Sequence, residues 1–256
     1  MYVADAHLHA PFCKEEDFSF LTQNDGTYAS CIYAACTCAH DRNEFFQAES
    51  IAKKNPGTFR LAFGLHPQNP LLENADFLQT LLEEKKICAI GECGFDLFTK
   101  EFKADIKRQE EAWHIQTELA QKFSVPIVVH NRKALDLMFR DVSILKKIPA
   151  VVFHSFAFGF REAESLLAKG INAWFSFGKP ILNGNKKSIA CVQNLSSERL
   201  MFETDAPYQT LKEEDRTLPS DILKVLARAA ELKSCTTEEV SLFAFKNFNT
   251  VFCELP

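Results

Sequence analysis

The amino-acid sequence predicts a single-domain α/β fold, a (β/α)8 barrel of the TIM type with extra helices at its C-terminal end. Short runs of β-branched and aromatic residues alternate with helical stretches along the 256 residues, which is typical of a parallel sheet with helical crossovers. Eight such runs are present, the number that closes a barrel of this class. Barrels of this length commonly fold as one domain, so we expect residues 1–256 to form one unit.

In the first half of the chain, breaker residues separate the predicted elements. An Asn-Pro-Gly sequence at residues 55–57 ends the first helix, and Pro126 follows the long helix before the fifth strand. Leucines at helical spacing mark the side of the second helix that packs against the sheet. The predicted strands are residues 2–7, 28–35, 60–65 and 87–90, and the predicted helices are residues 43–54, 76–86 and 103–123.

The same alternation continues through the second half of the chain. A break is expected near Asp141, Gly170 ends the next helix, and Thr236 and Glu239 have the spacing of a capping box. The two helices after the eighth strand are expected to close and cover the barrel. The predicted strands are residues 127–129, 150–153, 172–177 and 200–203, and the predicted helices are residues 133–145, 161–169, 186–194, 219–233 and 237–252.

Charge and composition limit the function classes. The net charge of −5 and the sequence pI of about 5.8 leave no basic face for avid, non-specific nucleic-acid binding. Nucleic acid is not excluded as a substrate, because bound metal ions would supply local positive charge. No apolar run reaches the roughly 18 residues that span a bilayer, so no membrane association is expected.

The nine cysteines and the first residues predict a cytoplasmic protein. The cysteine count is odd, no pair has the CxxC spacing, and several lie in apolar strands, where cysteine acts as a small hydrophobic residue. Cys36 and Cys38 lack the second pair or adjacent histidine that would complete a metal site. The chain opens directly into a strand without the pattern of a signal peptide, and no feature predicts an obligate protein partner.

The first strand ends in a pair of candidate metal ligands. Side chains alternate along a strand, so Asp5, His7 and His9 are expected to point to one face. Two imidazoles two positions apart can bind one ion, and we expect Asp5 to support them from behind rather than to bind the ion itself. In isolation, such a pair could equally be two unrelated histidines.

Further candidates follow from the rule that barrel chemistry lies at the carboxyl ends of the strands. Five of the seven histidines and two acidic residues occupy such positions in the predicted arrangement. The remaining histidines, His40 and His114, fall in a predicted loop and a predicted helix, and the sequence assigns them no role. The residues at the strand ends are His7, His9, His66, Glu92, His130, His154 and Asp205.

The residue types in this set point to a two-metal hydrolase. Imidazole and carboxylate together suit zinc, manganese, iron or nickel, and six ligands exceed the needs of one tetrahedral site. The expected cofactors are two divalent ions, with zinc, manganese and magnesium as candidates. Two ions would share Glu92, around which Gly91 and Gly94 would let the backbone pack closely. Asp205 is predicted to bind an ion and to act as the general base. Two ions about 3.5–4 Å apart can activate a water for attack on a phosphoryl group.

Two residues beyond the strand ends are candidates for binding the substrate. His66 is expected to contact the substrate rather than an ion, although a simple turn role ahead of Pro67 remains open. Arg132 follows the fifth strand and suits a phosphate. Lys179 also follows a strand, but it is expected to be an ordinary solvated lysine.

Six stretches carry these polar strand ends, namely Asp5–His9, Gly64–Pro67, Ala89–Asp96, Pro126–Ala134, Val152–Phe156 and Phe202–Tyr208. In order and spacing they resemble the TatD family of metal-dependent deoxyribonucleases, within the wider amidohydrolase-type barrels. The resemblance runs from end to end of the chain and implies a (β/α)8 barrel, two divalent metal ions and hydrolysis of DNA or another phosphodiester. Carried over by position, it implies that His66 lies near the substrate phosphate. The ligands that it implies are His7, His9, Glu92, His130, His154 and Asp205.

The stretch after the eighth strand departs from the pattern of that family. Members usually carry a loop with Arg, Asn and Pro after the Asp-Ala-Pro-Tyr sequence, whereas residues 209–216 are short and acidic here. Asn131 and Lys133 also stand where serine and an acidic residue are more usual. All the predicted metal ligands are present, but the residues expected to line the substrate entrance differ from the family pattern. The sequence therefore supports hydrolysis more strongly than it supports DNA as the substrate.

Two alternatives remain open from the sequence. A relative in the same superfamily could hydrolyse a small ester, lactone or amide, but that wider group commonly uses a carboxylated lysine where this chain has Glu92. A non-catalytic, metal-free binding barrel is the other alternative, and the complete ligand set argues against it. Metal analysis of the purified protein separates an enzyme from such a binder.

Overall fold

Eight parallel strands form a nearly closed barrel in the computed structural model, which describes residues 1–21 and 31–252. Each strand pairs with the strand that follows it in the sequence, so the spatial order is the chain order. The predicted fold class is therefore confirmed. The strands are β1 Tyr2–Leu8, β2 Ile32–Ala39, β3 Phe59–Phe63, β4 Ala89–Asp96, β5 Ile127–Arg132, β6 Val151–Phe153, β7 Ala173–Phe177 and β8 Leu200–Phe202.

Hydrogen bonds between chain segments at the ends of β1 and β8 bring the first and last strands together. The backbone N–H of Asp205 donates to the carbonyl of His7 at 2.9 Å. The backbone N–H of His9 donates to the carbonyl of Ala206 at 2.8 Å. Barrel closure at the carboxyl end therefore involves the same residues that the sequence predicts as ligands.

Helices connect the strands, as the alternating pattern predicts. The expected break near Asp141 is confirmed, since this residue separates two short helices, and the helix predicted at 103–123 is divided at Asp105. The capping box of Thr236 and Glu239 is present. The helices are α1 Arg42–Lys54, α2 Ala75–Glu83, α3 Lys100–Ala104, α4 Ile106–Phe123, α5 Leu135–Arg140, α6 Val142–Leu145, α7 Phe160–Ala168, α8 Lys186–Asn194, α9 Ile222–Lys233 and α10 Thr237–Val251.

The last helix covers the amino-terminal end of the barrel. Phe248 and Phe252, at the end of α10, belong to the same buried cluster as Ala4 and Met201, which come from the first and last strands. The carbonyl of Phe252 also accepts a hydrogen bond from Arg60 Nε at 3.3 Å. The prediction that helices after the eighth strand cover the barrel is confirmed, and the opposite end is left for chemistry.

Small side chains fill part of the barrel interior. Cys36, Cys38 and Cys88 are buried there with alanines from several strands, while large aromatic residues such as Phe63 and Trp113 pack between strands and helices. The cysteines in the described residues are free thiols, and Cys253 lies outside those residues. None of the helices in the described part of the chain is both long enough and apolar enough to cross a membrane.

β2 lies further along the chain than the sequence predicts. It runs Ile32–Ala39, whereas the prediction covered residues 28–35, of which residues 28–30 lie outside the described ones. β3 pairs with β2 as far as Ala39, opposite Phe63, and this pairing extends the strand. His40 lies in a loop, as predicted, but it follows the end of β2 directly instead of lying several residues beyond it.

β4 is also longer than its predicted range of 87–90, because β5 pairs along it as far as Asp96. A Cβ atom on Gly91 would meet Val128, and one on Gly94 would meet the carbonyl of His130. Gly94 also has a φ of +127°, which a residue with a side chain rarely adopts. The expected close packing of backbone around Glu92 is confirmed.

Replacing Gly94 with alanine should lower the free energy of unfolding by more than the same replacement at Gly57. Both glycines have positive φ, which costs about 1–3 kcal/mol in other residues, but only Gly94 has backbone atoms where the Cβ would lie. Urea unfolding of Gly94→Ala and Gly57→Ala, followed by circular dichroism, measures the difference. Equal losses would show that β5 moves aside at little cost.

Candidate metal centre

The imidazoles of His7 and His9 converge on one position at the carboxyl end of β1. Their Nε2 atoms are 3.2 Å apart, and both residues are buried. Each Nε2 atom also lies 3.4 Å from Glu92 Oε1 and 3.4 Å from Asp205 Oδ1. Ligand atoms from the ends of β1 and β8 and from the middle of β4 therefore surround one position.

The second oxygen of Glu92 faces a second pair of histidines. His154 Nε2 lies 2.6 Å from Glu92 Oε2, and His130 Nδ1 lies 3.3 Å from the same oxygen. His130 comes from β5, and His154 follows β6 directly. Each oxygen of Glu92 thus faces one pair of the histidines predicted as ligands, which suits a carboxylate shared between two ions.

The donor set at this end of the barrel fits divalent cations. Imidazole nitrogens and carboxylate oxygens are the ligands that zinc and manganese accept, and here they crowd together in a buried space. In the part of the chain that is described, His7, His9 and Glu92 form one group with ligand atoms within 4.8 Å of one another, and Glu92, His130 and His154 form another. A third group combines His7, His154 and Asp205.

The two carboxylates at the centre are held in their charged forms. Burial favours protonated carboxyl groups, but the neighbouring imidazoles outweigh it and keep the pKa of Glu92 and of Asp205 below the usual range. The converse holds for His7, since burial opposes its charge while Glu92 and Asp205 raise its pKa. The negative charge of the two carboxylates is thus balanced by protons on the imidazoles, and a bound cation would take the place of those protons.

Asp5 supports the site through the backbone rather than through an imidazole. Its carboxylate accepts hydrogen bonds from the Thr204 backbone at 2.9 Å, the Thr204 hydroxyl at 2.6 Å and the His7 backbone at 3.3 Å. Burial raises its pKa to about 7, although these hydrogen bonds oppose the rise. Asp5 therefore links the ends of β1 and β8, which fixes His7 relative to Asp205.

The partner behind the His7 ring is Cys38, which the sequence brought to notice only as half of a possible thiolate site with Cys36. Cys38 Sγ lies 3.5 Å from His7 Nδ1, inside the barrel. Histidines that bind metal usually have a hydrogen-bond partner on their second nitrogen, which sets the orientation of the ring. Strand alternation places Cys38 on the inner face of β2, but only the fold shows that it lies beside His7.

His130 has a carboxylate partner that was also missed. Asp96 Oδ2 lies 3.0 Å from His130 Nε2 and accepts a hydrogen bond from Gln68 Nε2 at 2.8 Å. Burial raises the pKa of Asp96, but these hydrogen bonds outweigh burial and lower the pKa to about 2. Asp96 therefore stays charged behind His130, and its position at the end of the long β4 explains why it reaches there.

His66 and Arg132, the predicted substrate-binding residues, lie at the mouth of the site. His66 Nε2 is 3.6 Å from Glu92 Oε2, and its Nδ1 atom accepts a hydrogen bond from the Gln68 backbone at 3.2 Å. Burial lowers the pKa of His66 to about 3, so the ring is neutral. The Arg132 guanidinium lies 3.7 Å from Asp96 Oδ2 and is about half exposed.

The sequence of this chain matches the model of a known protein family over nearly its whole length. The model of the family described as "TatD related DNase" matches residues 4–253, nearly the whole chain. The chain belongs to this family. The resemblance noted in the sequence is thereby confirmed, and so is the class of the protein, a metal-dependent hydrolase.

Individual relatives agree with this family membership. The chain is 31% identical over 201 residues to a Bacillus subtilis (strain 168) protein described as "Uncharacterized metal-dependent hydrolase YabD", covering 75% of this chain and 76% of the relative. It is 34% identical over 173 residues to the "3'-5' ssDNA/RNA exonuclease TatD" of Erwinia tasmaniensis, and spans 63% of that relative's length. The crystal structure of YJJV, a TatD homologue from Escherichia coli K12, has the same fold, with a TM-score of 0.84, 24% identity and coverage of 99% and 98%.

The loop after β8, where this TatD family member departs from the usual sequence, contacts the centre directly. Gln209 Nε2 donates to Asp205 Oδ2 at 2.9 Å and to Ser155 Oγ at 2.8 Å. The backbone N–H of Ser155 donates to Glu203 Oε1 at 2.8 Å, and His154 Nδ1 lies 3.8 Å from the same oxygen. The altered loop thus holds one oxygen of Asp205 while the other faces His7 and His9.

Lys179 anchors the same loop, and its prediction as a solvated lysine is wrong. Its side chain is 1% exposed, and its ammonium pairs with Glu214 and, at 2.8 Å, with Asp221. The short acidic stretch 209–216 therefore includes a partner for a buried charge. Arg216 adds a second attachment through two hydrogen bonds to Asp17, at 2.7 and 2.8 Å.

Removing the thiol behind His7 should weaken metal binding. Cys38→Ala leaves His7 Nδ1 without this contact, and losses of about 10- to 100-fold in affinity are typical when such a partner is removed. Cys93→Ala is the control, because the Cys93 thiol lies next to Glu92 in sequence but contacts the Val128 carbonyl. Competition with a fluorescent zinc chelator measures both variants, and equal affinities would contradict the role of Cys38.

Proposed function

We propose that the chain is a two-metal nuclease that hydrolyses phosphodiester bonds of single-stranded DNA, acting from an end. The observation that carries the proposal is Glu92, which has a pair of histidines on each carboxylate oxygen. Two-metal centres that share a ligand are typical of phosphoryl hydrolases. The relative from Erwinia tasmaniensis, described as a 3'-5' ssDNA/RNA exonuclease, supports a single-stranded substrate and a 3' start.

The ligands divide into two sets. His7, His9, Asp205 and Glu92 Oε1 would hold one ion, and His130, His154 and Glu92 Oε2 would hold the other. Zinc, manganese and magnesium are the candidates for both positions. When bound, such ions stabilise negative charge on a phosphoryl group and lower the pKa of a nearby water.

Asp205 is the proposed general base. Its low pKa keeps it ionised at neutral pH, so it can accept a proton from the attacking water. Its side chain is 12% exposed, which lets solvent reach it, and Gln209 fixes its outer oxygen. The inner oxygen then faces the imidazoles of His7 and His9, and Asp5 and Thr204 fix the backbone next to it.

Aromatic and basic side chains at the mouth suit a single strand of nucleic acid. Phe12 and Tyr208 are 45% and 50% exposed, and the Tyr208 ring lies 5.1 Å from that of His9 and 6.4 Å from that of Phe12. Exposed aromatic rings of this kind stack on bases, and the Arg132 guanidinium can donate to phosphate oxygens. His66, 3.6 Å from Glu92, is placed to contact a phosphate held at the centre. These side chains would give a single strand local contacts that do not require an overall positive charge.

The setting that we propose is a cytoplasmic, single-domain enzyme over residues 1–256. The described strands belong to one sheet, and the ligand residues come from strands along its whole length. The free thiols of the described cysteines support a reduced compartment. We propose no obligate protein partner, because the residues described above supply both the metal ligands and the substrate contacts.

The direct test is a panel of substrates and metals. Protein loaded with magnesium, manganese or zinc should shorten end-labelled single-stranded DNA from its 3' end, lose this activity in EDTA and regain it when metal returns. RNA, duplex DNA and a small phosphodiester complete the panel and show the preferred substrate. Failure to cleave any nucleic acid by folded, metal-loaded protein would overturn the proposal.

Asp205→Asn should abolish most turnover while leaving the fold and most metal binding intact. A general base contributes about 100- to 10,000-fold, and the amide cannot accept the proton. Single-turnover cleavage and metal content are measured together. Glu92→Ala is the contrasting variant, since it should lose bound metal as well. Activity of Asp205→Asn within a few-fold of the unmodified protein would show that another group is the base.

Tyr208→Ala should raise KM for single-stranded DNA by about fivefold or more, with a smaller change in kcat, because one stacked base is worth about 1–3 kcal/mol. Phe46→Ala is the matched control, since Phe46 on α1 is 52% exposed and packs against Phe45 and Phe77 instead. Steady-state kinetics with an oligonucleotide and with a phosphodiester that lacks a base separate stacking from general damage. An equal rise in KM for both substrates would contradict stacking.

A further inference from the structure

His40 is the histidine at the centre that neither the sequence nor the family pattern assigns. It follows β2 directly, and its Nε2 atom lies 3.2 Å from Glu92 Oε1, the oxygen that also faces His7 and His9. Its ring centroid is 5.3 Å from that of His9. His40 therefore reaches the same side of Glu92 as the first pair of proposed ligands.

The inner nitrogen of His40 lacks the hydrogen bond that a buried polar atom needs. Among the described residues, His40 Nε2 is buried and has no hydrogen-bond partner, because it faces Glu92 Oε1 without suitable alignment. A bare imidazole nitrogen and a charged carboxylate oxygen this close would repel each other. A cation between them removes the repulsion and satisfies both atoms.

A carboxylate lies behind His40 on the other side of the ring. Glu44 Oε2 is 3.7 Å from His40 Nδ1 and accepts a hydrogen bond from the His40 backbone at 2.7 Å. Glu44 is itself held in the first turn of α1, where its backbone N–H donates to Asp41 at 2.9 Å. Carboxylate, imidazole and metal in this order form the usual support of a metal-binding histidine.

The neighbouring His66 differs from His40 in which ring nitrogen carries the proton. His40, His66 and Glu92 form a group of possible ligands with atoms within 4.8 Å of one another. The Gln68 backbone donates to His66 Nδ1, so the proton of the neutral ring lies on Nε2, which points at Glu92. His66 is therefore a hydrogen-bond donor at this position, whereas His40 can offer a lone pair.

We propose that His40 is a further protein ligand of the cation held by His7, His9 and Glu92 Oε1. This inference rests on the proposed metal centre and adds to it. The ion on this side then has more protein ligands than the ion of His130 and His154. With His40 as a ligand, that ion would be held more tightly and would leave fewer positions for substrate oxygens than the ion of His130 and His154.

The test is a metal titration of His40→Gln with His114→Gln as the matched control. His114 is exposed on α4, away from the strand ends, so its replacement repeats the chemistry without touching the centre. Competition titrations with manganese and zinc should show two classes of site in the unmodified protein and in His114→Gln. In His40→Gln, one class should weaken by about tenfold or more, and cleavage should recover at high metal concentration. Unchanged affinities in both classes overturn the inference.

A crystal structure of the unmodified protein loaded with zinc tests the same point without a variant. His40 Nε2 should lie within about 2.0–2.1 Å of an ion identified by its anomalous signal. A distance beyond coordination range from every ion overturns the role of His40, even if the centre binds two ions and cleaves DNA. If the unmodified protein binds no metal, the proposed function itself fails, and the two failures are thereby distinguished.

Discussion

Six imidazoles surround one buried carboxylate at the carboxyl end of this barrel, and the rest of the site depends on that contact. His7, His9, His40, His66, His130 and His154 each have a nitrogen within 3.6 Å of Glu92. A carboxylate buried this deeply is tolerated only with charge or hydrogen bonds to balance it. The strands that bring these histidines together are therefore constrained in register and in length, because a shift of one residue would turn a ligand away.

The barrel meets that constraint with a layer of supporting contacts. Asp5 accepts hydrogen bonds from Thr204 and so joins β1 to the end of β8. Cys38 contacts the outer nitrogen of His7, and Asp96 contacts that of His130. Each contact joins two strands, so the support of the centre and the closure of the sheet are the same set of interactions. Close backbone approach at Gly91 and Gly94 serves the same end, since it lets Glu92 sit between β3 and β5.

The loop after β8 lies at the mouth of the site and contacts the centre. The short acidic loop is tied down by the buried Lys179 and by Arg216, and Gln209 extends from it to Asp205. Charge that would repel a nucleic acid is thus partly neutralised within the protein. The exposed rings of Phe12 and Tyr208 and the guanidinium of Arg132 are left facing the entrance.

By itself, the sequence determined the barrel, the order of its elements and the six ligand candidates, because strand periodicity and polar strand ends are local signals. It gave His40 no role, predicted Lys179 wrongly as a solvated residue, and did not single out Cys38 or Asp96 as supporting residues. Those roles depend on how far β2 and β4 extend, which their pairing with β3 and β5 decides. They also depend on contacts between residues far apart in the sequence, such as Lys179 with Asp221 and His40 with Glu92. No local pattern encodes such contacts, since only the closed barrel brings these strands and loops together.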